Sequence, residues 1–151
     1  MRKMLEKSID VKFKFLVAAG IGLLFGWFQL RFWAIYPVNN PITNWLLDTF
    51  AKNGQSGLYR LFSYMHDFAV HFMLALILAI VLVRIFGRRQ WPPIAVVVIT
   101  YHVALFWNTV WANMGTIIQY SGFWISLAIS TSTLPIAYLT AGRLRQTPTT
   151  S

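Results

Sequence analysis

Apolar residues run along this chain in four long blocks, at about 13–36, 65–86, 92–112 and 117–140, separated by polar punctuation. Each block approaches the ~20 residues that a helix needs to cross ~30 Å of hydrocarbon. Polar groups inside the blocks are few, and in lipid such a backbone satisfies its own hydrogen bonds only as helix. Four membrane-spanning helices are therefore expected. The connection between the first two is the only long one. Within it, Asn40-Pro41 reads as a helix start, with Asn capping and Pro at the first helical position. From there Ile42, Leu46, Leu47 and Phe50 fall on one face, Asn44, Asp48 and Lys52 fall on the other, and Asn53-Gly54 closes the segment. Such a helix lies in the headgroup plane. Ser56 then reads as the cap of a helix running through Gly57 into the second span. The fold class expected is all-α: a four-helix transmembrane bundle with a short amphipathic interfacial helix in the outer loop. Residues 1–145 form a single membrane domain, followed by a polar tail at 146–151 expected to be disordered.

Composition agrees with the pattern. The 151 residues are 57% hydrophobic and 11% charged, the latter less than half of the roughly 25% in an average soluble domain. So much apolar surface cannot be hidden in a core this small, because a domain of ~150 residues still exposes about 30% of its unfolded surface. Basic residues precede the first span, as in a signal peptide. The apolar run from Phe15 to Leu30 is long, however, and has no small-residue cleavage motif at its end, so it reads as a retained anchor.

A net charge of +9 would suggest nucleic acid in a soluble protein, but no basic patch here carries interleaved aromatics, and nucleic acid is not expected as a partner. Charge position gives a better account. Arg2, Lys3, Lys7, Lys12, Lys14, Arg84, Arg88, Arg89, Arg143 and Arg145 fall on one side of the four spans, against Arg31, Lys52 and Arg60 on the other. The positive-inside rule then places both termini in the cytoplasm, in a multi-pass protein of the cell inner membrane. Contact with anionic lipid follows as a secondary consequence.

Small residues mark the faces that pack. Ala18, Gly22 and Gly26 recur every four residues in the first span, and Gly122, Ser126, Ser130, Thr133 and Ala137 share a stripe in the fourth. Such stripes let backbones approach closely. They predict packing of span one on span four, through Gly22 and Gly26 against Ser126 and Thr133; the alternative is a docking face for another membrane protein or a second copy. Pro135, deep in the fourth span, removes a backbone hydrogen bond and predicts a local kink, with the hydroxyls of Ser130 to Thr133 available to the freed carbonyls.

Candidate chemistry gathers in Tyr64–Phe72, YMHDFAVHF. Asp67 and His71 are four residues apart and share a helix face, whereas His66 lies roughly 100° round from Asp67. At ~1.5 Å per residue, Asp67 sits about 3 Å inside the outer boundary and His71 about 9 Å, with His102 near mid-membrane. Ionisable residues at such depth are functional candidates. Three readings compete for Arg31, Asp67, His71, His102 and Asn108. In one, Asp67 pairs with Arg31 and His71 as a polar lock, and His66 faces the headgroups. In another, the group relays protons or ions. In the third, His71 and His102 ligate haem or a metal, a reading weakened by a depth mismatch of ~6 Å. Trp107 and Trp111 read as an aromatic belt. With no cysteine, thiolate chemistry and disulfides are excluded. No phosphate-binding loop, nucleophile–base arrangement or paired carboxylates stand out, so no catalytic residue, bound metal or cofactor is expected.

The order of elements resembles that of YagU-type bacterial inner-membrane proteins: a small-residue first helix, a long outer loop, His near the start of the second span and His inside the third. The likeness covers that order and no diagnostic motif, and the last span here lacks a histidine. The expected function is that of a small non-catalytic inner-membrane protein acting through helix contacts in the bilayer, as an accessory subunit or a stress- or immunity-type protein. The competing expectation is a transport or redox protein built on Asp67, His71 and His102.

Overall fold

The computed structural model describes the backbone at residues 2–88, 90–117, 119 and 121–144, and side chains at 10–36, 40–88, 90–107, 119 and 121–144. Among these the chain is all-α, with five helices and no sheet: α1 (Arg2–Asn39), α2 (Pro41–Leu46), α3 (Ser56–Phe86), α4 (Trp91–Ile117) and α5 (Ser121–Leu144). Asp10–Tyr36, Ser56–Phe86 and Ser121–Leu144 are long and apolar enough to cross a membrane, and Trp91–Trp107 is a shorter apolar helix. The molecule is a multi-pass membrane protein whose helices contact the lipid bilayer. The side chains of Asn108, Trp111, Arg89 and Arg145, and the tail 146–151, lie outside the described residues.

Local chemistry sets the boundaries. Asn40 caps α2 as its sequence predicts, its Oδ1 accepting from Ile42 N at 2.9 Å with Pro41 in the first turn. The amphipathic segment then departs from expectation. After Leu46 the chain widens into a π-helical turn, Leu47–Ala51, closed by Lys52 N donating to Leu47 O at 3.0 Å. Gly54, at φ +76°, takes the left-handed turn that ends it, and Ser56 opens α3 one position later than a cap would stand. Helix α4 runs on through Gly115 to Ile117, so α5 starts four residues beyond the 117 expected for the last span. A lone interior glycine costs only about 1 kcal/mol, too little to stop a helix supported by packing.

The helices associate as two close pairs, α1 on α4 and α3 on α5, with sparser contact between the pairs. This corrects the expected pairing of span one with span four. A Cβ on Gly22 would meet Thr100 and sit 2.6 Å from Val97 O, and one on Gly26 would sit 2.6 Å from both Tyr101 O and Ala104 Cβ. The glycine face thus closes on α4. In α5, Gly122, Ser130, Thr133 and Ala137 are buried, but Ser126 is exposed, so the predicted stripe is only partly an interface. Alanine supplies the missing small surface on α3, where Ala75 and Ala79 are buried as α3 packs along α5.

Buried apolar side chains concentrate at the end of the bundle marked by Gly87. Ala18, Ala75, Ala79, Leu82, Val83, Phe86, Ile94, Val97, Leu134, Ala137, Tyr138 and Ala141 form one cluster there. Tyr138 is fully buried and holds the α3–α4 turn: its hydroxyl donates to Gly87 O and accepts from Gln90 N at 3.3 Å. Pro135 lies within α5, which continues to Leu144. The nearby hydroxyls bond back to the preceding turn, Ser130 to Leu127 O and Ser132 to Ile129 O at 3.1 Å each, and Thr133 to Ser130 O at 3.2 Å. None of these reaches the carbonyl of Thr131, the one Pro135 leaves free.

Candidate functional site

Gln29, Trp33 and Tyr36 follow the i, i+4, i+7 spacing of one helix face on α1, and Tyr59, Ser63 and His66 repeat that spacing on α3. The fold turns these two stripes toward each other at the α2 end of the molecule. Between them lies a cavity of about 200 Å³, lined by Trp33, Tyr36, Thr43, Leu46, Tyr59, Ser63, His66 and Asp67. A neighbouring groove of about 500 Å³, lined by Phe28, Arg31, Phe32, Ile35, Tyr36, Asn40 and Pro41, shares Tyr36 as a wall.

His66 is the hub of the cavity. Its Nε2 lies 3.2 Å from Tyr36 Oη and 3.1 Å from Asn40 Nδ2, and its ring stacks on Tyr36 at 5.8 Å between centroids. Asn40 cannot flip, because its Oδ1 is spent on capping α2. It therefore presents an N–H to His66, and Nε2 must accept. The imidazole proton then sits on Nδ1, which faces Asp67 Oδ1 at 3.6 Å. That distance suits an electrostatic contact and is long for a hydrogen bond. One cap residue thereby sets both the start of α2 and the tautomer of a histidine 26 positions away.

The polar lock forms with other partners than those expected. Asp67 faces His66, not Arg31. The Arg31 guanidinium lies over the Trp27 ring, 5.6 Å from its centroid, and among the described residues no salt bridge joins it to Asp67. His71 does approach Asp67, but Nδ1 donates to the backbone carbonyl at 3.0 Å instead of to the carboxylate. The reason is geometric: one helical turn brings a ring nitrogen onto the carbonyl of residue i−4, a local bond that needs no rotation of Asp67. The His71 ring stacks on Trp33 at 4.6 Å, and Trp33 Nε1 donates to the buried Gln29 Oε1 at 2.6 Å.

His102 stands apart. Nδ1 donates to Val98 O at 2.7 Å, so Nε2 accepts, from Thr131 Oγ1 at 3.1 Å; Ser130 Oγ lies at the same distance but donates its proton to Leu127 O. Both nitrogens are thus engaged within the protein. Among the described residues no three His, Asp or Glu side chains gather as a metal site. Asn108 lies outside the described side chains.

All three histidines share one structural property. His66 and His71 reach from α3 to α1 and its α2 junction, and His102 reaches from α4 to α5. Each crosses the seam between the two helix pairs. Sequence spacing singled out Asp67, His71 and His102, but set His66 aside and passed over Gln29, Trp33, Tyr36 and Tyr138. The paired 29/33/36 and 59/63/66 stripes were the available signal.

Comparison with known proteins gives no match: no family model, no curated protein and no solved structure is similar to this chain.

Proposed function

We propose that this chain is a small non-catalytic protein of the bacterial-type inner membrane that acts by helix contacts within the bilayer, as an accessory subunit or a stress- or immunity-type protein. In this reading α1, α3, α4 and α5 all span, α2 lies in the outer headgroup plane, and both termini are cytoplasmic. The asymmetry of basic residues supports that orientation.

One observation carries the reading: among the described residues, His66, His71 and His102 each make a ring or hydrogen-bond contact across the seam between the two helix pairs. From the His66 cavity toward Gly87 the bundle closes over Ala79, Leu82, Val83, Ile94, Val97 and Leu134, each 2% exposed or less, and the buried Ser130 and Thr133 beside them donate their hydroxyls to carbonyls of their own helix. A proton or ion relay needs successive polar groups or water, and close-packed aliphatic side chains offer neither. The order Asp67–His66–Tyr36 is that of a carboxylate–imidazole–hydroxyl relay. Yet Nε2 is shared with the Asn40 amide, which competes with the hydroxyl for the base that a nucleophile would need. What remains is outward surface, including Leu24 at 71% and Ile77 at 64% exposure, on different helices.

Two measurements test this. A photo-crosslinking residue at Leu24 or Ile77, activated in native membranes, should give one discrete protein adduct, either a partner or a second copy. Purified protein in liposomes should leave proton leak at the lipid baseline. Lipid-only adducts, together with a leak abolished by Asp67→Asn, would overturn the reading and restore the relay.

A further inference from the structure

The cavity at the α2 end combines features that contact alone does not require. Trp33, Tyr36 and Tyr59 supply aromatic rings, and Asp67 supplies a carboxylate. The hydroxyls of Tyr59 and Ser63, which line the same cavity, make no hydrogen bond to another described residue. Among the described residues no Lys or Arg forms a salt bridge with Asp67. Its one side-chain partner among the described residues is His66, whose Nδ1 lies 3.6 Å from the carboxylate while Nε2 accepts from the Asn40 amide. Arg31, the nearest basic residue on α1 in sequence, is turned onto Trp27 instead.

We propose that this cavity binds a small organic ammonium cation. Aromatic faces attract a cation through the ring quadrupole, and such cages are a recurrent means of holding alkylammonium groups. The carboxylate adds a full charge, which counts for more where water is partly excluded. A bare metal ion fits less well, because Asp67 is the one carboxylate lining the cavity and no three His, Asp or Glu side chains gather there among the described residues. Size agrees as well. At about 30 Å³ for each water-sized group, 200 Å³ holds roughly six non-hydrogen atoms, enough for tetramethylammonium or the end of an ethanolamine headgroup. The same chemistry is thus available from solution or from lipid.

The test uses the full chain in maltoside micelles, titrated with tetramethylammonium and, as a neutral match in shape, tert-butanol, with binding followed by calorimetry. Tetramethylammonium should bind at least tenfold more tightly than tert-butanol. Asp67→Asn should lose about tenfold in affinity with helicity unchanged. Tyr59→Leu, which keeps the charge and removes a ring, should lose severalfold, and it stands as an independent check where Asp67→Asn fails to fold. Nanodiscs separate the two sources. Weaker tetramethylammonium binding in discs containing phosphatidylethanolamine than in discs of the same phosphatidylglycerol content, in which an uncharged glycolipid replaces it, shows the lipid ammonium already seated; equal binding assigns the site to a soluble cation. Equal affinity for tetramethylammonium and tert-butanol, or affinity untouched by both substitutions, overturns the proposal. Because the assay reads binding to the isolated protein, its failure leaves the contact reading standing, and a failed crosslinking experiment leaves the cation site standing.

Discussion

At the scale of single residues, Gly22 and Gly26 show how far a spacing can be read. Their recurrence announced a close helix approach, and the structure makes that approach tight enough to exclude a methyl group. Their partner was not legible, because a small-residue stripe on one helix fits any other helix that offers backbone, and α4 offers Val97 and Tyr101 carbonyls with Ala104 beside them. Gly22→Ala should destabilise the protein by about 1–3 kcal/mol, the usual range for overpacking a filled site. The reason is that Val97 O, a backbone atom at 2.6 Å from the added carbon, cannot rotate away as Thr100 can. Gly20, with nothing within 4 Å, is the control: Gly20→Ala should stay within about 1 kcal/mol of wild type. Thermal unfolding followed by circular dichroism in one detergent compares the two, and equal shifts would refute the close crossing. His66 teaches the reverse lesson. Helical rotation alone turned it away from Asp67, but neighbours in sequence can still meet when a third group fixes the ring, and that group, Asn40, sits on a different element.

At the scale of elements, the legible parts were those with local causes. The Asn40-Pro41 start and the Gly54 stop follow from capping and positive φ. The π-helical turn between them does not, since its wider ring answers to packing such as Phe50 on Phe62 at 5.1 Å. Asn40 permits a sharp test because it acts on two elements at once. Asn40→Asp keeps an oxygen for the α2 cap but replaces the amide donor by an acceptor, so Nε2 of His66 should carry a proton in the variant. Nitrogen-15 chemical shifts of labelled histidine should report Nδ1–H in the wild type and Nε2–H in the variant. An Nε2–H tautomer in the wild type would contradict the network. At the opposite end, Tyr138→Phe should cost about 1–2 kcal/mol. The substitution leaves the aromatic packing in place but withdraws the hydrogen bonds to Gly87 O and Gln90 N. A denaturation midpoint indistinguishable from wild type would show that the turn does not depend on this tie.

At the scale of the molecule, composition and block length made the membrane class legible, whereas the arrangement of helices into pairs was not, because lipid-facing and helix-facing aliphatic residues look alike in sequence. The resulting picture is of two tight helix pairs, tied across their seam by three histidines, open to a polar cavity at one end and closed by aliphatic packing at the other. Its central claim is that all four long helices cross the membrane, with the cavity outside. The chain has no cysteine, so single substitutions can be labelled without background. Gln55→Cys, Gln90→Cys and Gln119→Cys place one thiol in each successive connection, and a membrane-impermeant maleimide on intact cells reads which side each occupies. The account predicts labelling at 55 and 119 in intact cells, and at 90 only after permeabilisation. Labelling of 90 and 119 on the same side would show that α4 does not cross, and would contradict the four-span bundle.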